Sequence, residues 1–62
     1  MWVKTLSGAL LNLSLAETVM YDDEDNYTKA WIKDSCCVIA EGNAMPFIQN
    51  AIIKHENYVR MV

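Results

Sequence analysis

Two kinds of hydrophobic spacing divide the chain. Up to about position 40, apolar and polar residues tend to alternate, as strands with one buried face require. The clearest case is 27–33, where Thr28, Ala30 and Ile32 share one face and Lys29, Trp31 and Lys33 the other. The first set predicts a core face, and leaves Trp31 on the solvent side between two lysine stems or under a partner. Residues 17–22 alternate similarly, with Val19 and Tyr21 opposite Thr18 and Met20. Trp2-Val3-Lys4-Thr5-Leu6 is β-prone, and Ser7-Gly8 supplies a hairpin turn, since Gly tolerates positive φ. The return strand covers 9–13, with Leu11 and Leu13 on one face. Cys36-Cys37-Val38-Ile39-Ala40 is apolar on both faces, which predicts a central or helix-covered strand after a tight turn at Asp34-Ser35.

Past Gly42 the spacing becomes helical. Phe47, Ile48, Ala51, Ile52, His55, Tyr58 and Val59 recur at i, i+3, i+4 and predict one apolar stripe on a helix over 44–58. Asn43 is the expected N-cap, and Pro46 falls in the first turn, where its missing N–H costs little. The pattern therefore predicts one α+β domain. It is an antiparallel β-meander of four to five strands (2–6, 9–13, 17–22, 27–33, 36–40) with one C-terminal α-helix packed on one face.

Length and charge narrow the picture. A 62-residue chain buries only roughly 60% of its unfolded surface, yet 53% of its residues are apolar. That excess predicts a partner or a self-interface. The net charge of −3 argues against direct binding of nucleic acid, where basic surfaces supply most of the affinity, and permits docking on a basic protein surface. No apolar run is long enough for a membrane span, and the N-terminus lacks the pattern of a signal peptide. Cys36 and Cys37 are adjacent and point to opposite faces of a strand, so they form no simple disulfide framework. A reducing cytoplasm, that of a bacterial host, is the expected location.

Trp2-Val3-Lys4-Thr5, then Gly8, then Leu10-Leu11-Asn12-Leu13, resembles the opening of small bacterial and prophage proteins of pattern W-[VI]-K-T-x-x-G-x-L-[VL]-N-L. The resemblance covers about the first thirteen residues closely and the remainder in layout. It implies a strand meander followed by a C-terminal helix, and it implies no activity. At the later turn such proteins carry Asp-Gly where this chain has Asp34-Ser35. In size and charge the chain is also similar to phage anti-CRISPR proteins, a likeness of type that no motif carries.

The most distinctive stretch is Asp22-Asp23-Glu24-Asp25, half of the chain's eight acids, at the tip of the hairpin joining 17–22 to 27–33. Its ordinary role is solubility. A calcium loop begun at Asp22 fails, because Tyr27 occupies the sixth position where Gly is required and Lys33 the twelfth where Glu is required. Phosphate mimicry is the sharper reading: carboxylates at i and i+2 of a strand stand about 6.6 Å apart, close to a phosphate step. Asp34 and Glu41 extend the row if the sheet brings their turns nearby. Tyr27 and Trp31 beside the tip suit an interface anchor.

Catalysis is poorly supported. His55 is the sole histidine, no third group orients a Cys–His pair, and Cys36, Cys37 and His55 lack a fourth zinc ligand and CxxC spacing. No catalytic residue, metal or cofactor is expected. The expectation is a non-enzymatic, phage-derived inhibitor of anti-CRISPR type. It would occupy the basic nucleic-acid surface of a host CRISPR effector subunit or nuclease through Asp22, Asp23, Glu24, Asp25, Tyr27, Trp31, Asp34 and Glu41. The alternatives are a structural or regulatory homodimer paired through an edge strand, and a sponge for a small nucleotide signal, which the acidity disfavours.

Overall fold

The computed structural model describes residues 1–61. Five strands precede one helix: β1 (Trp2–Lys4), β2 (Leu10–Asn12), β3 (Thr18–Asp22), β4 (Tyr27–Ile32), β5 (Ser35–Glu41) and α1 (Met45–Ile53). This is the expected small α+β fold, with every strand pair antiparallel. The strands divide into two sheets, β1-β2 and β3-β4-β5. β4 is therefore the central strand. β5 lies at an edge of its sheet rather than at its centre, and its apolar character answers to the other alternative, a helix-covered strand: Ile39 packs into the core with Ile48 and Ala51 of the helix. One backbone bond, from the Leu6 amide to the Val38 carbonyl at 3.1 Å, links the two sheets along that edge.

β1 and β2 are shorter than their alternation implied. The Thr5 amide and hydroxyl both bond Ala9, and Gly8 adopts φ 92, so the turn begins at Thr5. Leu13 starts a 3₁₀ turn, Leu13–Leu15, capped by the Asn12 side chain. The β4–β5 turn is Lys33-Asp34 rather than Asp34-Ser35: Ile32 pairs with Ser35, and Lys33 takes the positive φ of 55.

The helix also ends early, at Ile53 and not near 58. His55 adopts φ 55; its amide bonds the Ile52 carbonyl and the Glu56 amide bonds that of Ala51. Those two bonds form a Schellman cap, which terminates a helix on a left-handed residue. The tail then turns back beside β1, where Trp2 donates to Asn57 and Val59 donates to Trp2. At the other end, Asn43 accepts from the Met45 amide in an Asx turn, but the N-cap position belongs to Ala44. The predicted stripe thus splits. Ile48, Ala51 and Val59 are buried, whereas Phe47, Ile52, His55 and Tyr58 are exposed.

The core gathers Val3, Ala30, Ile39, Ile48, Ala51 and Val59, drawn from both sheets, the helix and the tail. Its face on β4 is the predicted one: Thr28 and Ala30 are fully buried and Ile32 half-buried. Thr28 brings a hydroxyl into that core and satisfies it completely. It donates to the Gly42 carbonyl at 2.7 Å and accepts from the Ala44 amide at 2.8 Å, tying the sheet to the start of the helix.

Candidate interaction surface

The three-stranded sheet has a second face, away from the helix, and strand register decides what stands on it. Residues directly opposite in an antiparallel pair project to the same side. Three cross-strand rows result: Asp22–Tyr27–Glu41, then Met20–Lys29–Val38, then Thr18–Trp31–Cys36. Met20 is 44% exposed and Trp31 37%, so this face carries accessible apolar surface with acids at one end.

Glu41 reaches that end because β5 contains a bulge. Val38 pairs with Lys29 and Ala40 with Thr28, leaving Ile39 as the extra residue. Regular alternation would place Glu41 on the side of Cys37 and Ile39, toward the core; the extra residue reverses the parity and turns Glu41 outward beside Tyr27. The Gly42 amide bonds the Asn26 carbonyl at 2.7 Å, which holds the end of β5 against the tip.

The tip is a folded turn with its own internal bonds. One Asp22 oxygen accepts from the Glu24 amide, and one Asp25 oxygen accepts from the Tyr27 amide. Asn26 takes φ 62, and its side chain accepts from the Tyr21 hydroxyl at 2.7 Å. Lys29 reaches back from the sheet to both outer acids, pairing with Asp25 and lying 3.3 Å from Asp22. The hydrogen bond from Lys29 holds the Asp25 carboxyl below its ordinary value, and the same bond raises the Lys29 ammonium. Only Asp22 belongs to a strand; Asp23, Glu24 and Asp25 lie in the turn, so the evenly spaced strand row of carboxylates does not form. Among the described residues, Asp23 and Glu24 are the two tip acids whose side chains make no hydrogen bond.

The predicted site residues are thereby sorted. Asp22, Asp23, Glu24, Asp25, Tyr27 and Glu41 gather at one end of the outer face. Trp31 stands on the same face, about 13 Å further along β4. Asp34 lies in the turn at the opposite end of β4, a strand roughly 17 Å long, and does not extend the acidic group. Sequence reasoning missed Met20 and Val38 as members of this face, and Lys29 as the counter-charge; only strand register reveals them.

Charge is distributed unequally. Five carboxylates against Lys29 leave the tip end at −4, while the remaining three acids and four cations sum to +1. Among the described residues, no group of three or more His, Cys, Asp or Glu side chains is arranged to hold a metal ion. Cys36 and Cys37 are free thiols, and among the described residues no helix is long and apolar enough to cross a membrane. No family model, curated protein or solved structure matches the chain.

Proposed function

We propose that this protein is a non-enzymatic binding module whose outer sheet face docks on a basic protein surface. The observation that carries the reading is the coincidence, on one uncovered face, of a −4 end and an apolar patch around Trp31 and Met20. The acids steer association and set orientation, and the apolar rows supply the desolvated anchor. A surface that otherwise holds nucleic acid is the partner of matching chemistry. Occupying it excludes the nucleic acid competitively, and an inhibitor of a phage-targeting nuclease or CRISPR subunit is the concrete form.

The test must spare the turn. Replacing all four tip acids would also remove the acceptors for Glu24 and Tyr27 and the partners of Lys29. Asp23→Asn with Glu24→Gln removes two charges and no side-chain hydrogen bond. Protein captured from bacterial lysate on immobilised wild-type chain should be a nucleic-acid-binding protein that elutes with rising salt. Its dissociation constant should rise about tenfold for the double variant and by a similar or larger factor for Trp31→Ala. Unchanged affinity in both variants would sink the proposal.

A further inference from the structure

The single Leu6–Val38 bond between the sheets leaves a cleft on each side of it. One cleft, of about 610 Å³, lies between the β1–β2 ribbon and Cys36–Val38, and no charged side chain lines it. The other, of about 520 Å³, has a different character. Its β5 wall is Ile39, Ala40 and Glu41; the facing wall is β1 with the tail that pairs to it, and carries Lys4 and Arg60. Leu6, Val59 and Met61 make the lining largely apolar.

Lys4 and Arg60 are exposed, and among the described residues neither has a carboxylate within 4.0 Å. Among the described residues, two cations without ion pairs thus share one wall of this open, largely apolar cleft, whose volume falls in the range of small-ligand sites. Glu41, on the other wall, opposes a ligand of high negative charge. We infer that this cleft binds a small organic monocarboxylate with an apolar body. The carboxylate lies between Lys4 and the Arg60 guanidinium, whose fork can grip both oxygens, and the body rests on the accessible apolar lining of Leu6, Ala40 and Met61. A nucleotide, with several phosphate charges and a polar sugar, fits this lining poorly. The site stands apart from the Trp31 face, sharing only Glu41 with it.

The probe is octanoate, titrated into the ¹⁵N-labelled protein and followed by amide chemical shifts, with octanol and acetate as the uncharged and tailless controls. Octanoate should shift the amides of Lys4, Leu6, Ala40 and Val59 and saturate by ~10 mM, and each control should bind at least about tenfold more weakly. Lys4→Gln with Arg60→Gln should bring octanoate down to the level of octanol. Octanol binding as tightly as octanoate, shifts centred on Trp31 or Cys36, no saturation, or a double variant that binds normally would each overturn the assignment. If the double variant does not fold, the two control ligands decide the matter on the wild-type chain.

Discussion

Two polar residues do structural work that their types do not announce. Thr28 is 0% exposed, and its hydroxyl is the partner of both Gly42 and Ala44. Thr28→Val keeps the shape but strands the Ala44 amide, which should cost about 2 kcal/mol and lower the melting temperature by roughly 10 °C in a domain this small. Thr28→Ser keeps both bonds, and urea titration should show a smaller loss, about 1 kcal/mol for the methyl group. Lys29 acts through charge. Because its bond depresses the Asp25 carboxyl, the stability this pair supplies is present above the ordinary carboxyl value of 3.8 and is lost as pH falls through the depressed one. Because the Lys29 ammonium is raised, the same stability is present below 10.5 and disappears as pH climbs through the raised value. Lys29→Gln should therefore return the Asp25 titration, read by NMR of its side-chain carboxyl, toward 3.8. The acid limb of the melting curve should flatten with it. An unchanged Asp25 titration would show that the pair does not persist in solution.

At the level of elements, the sequence was legible where side chains alternate against a single core. β3 and β4 lie within a residue of their predicted ranges, and Thr28, Ala30 and Ile32 face inward because strand periodicity leaves no other choice. Legibility failed where backbone geometry overrides the pattern. The bulge at Ile39 is invisible in an apolar run whose two faces look alike, so the outward placement of Glu41 could be raised only as a condition. Asp34 was grouped with the acids by charge, but one hairpin length separates them. The helix was over-extended because Tyr58 and Val59 continue its spacing; Val59 is buried all the same, through the tail's return to β1. The stop signal is His55, a residue type somewhat tolerant of positive φ but weaker than Gly as a marker. His55→Gly should relieve that conformation and stabilise the fold by about 1 kcal/mol, whereas His55→Val should destabilise it by a similar amount, as chemical denaturation would measure.

On the scale of the whole molecule, composition foretold an excess of apolar surface but not its location. Leu10, Leu15, Ile52 and Ile53 remain more than half exposed, and Met20 with Trp31 line the outer face. The charge was visible as a run of four acids; its polarity, −4 at one end against +1 elsewhere, emerges only once Glu41 and Lys29 are placed. The pairing of Trp2 with Asn57 and Val59 has a consequence for how the protein is made. The first strand of the fold finds its second neighbour only in a segment synthesised about 55 residues later. On the ribosome, β1 and β2 can form a hairpin early, but Val3 has no finished core to enter until Val59 has emerged. Closing so long a loop is an entropic barrier that local strand pairing does not lower, so completion of this fold follows translation past Val59 rather than accompanying it.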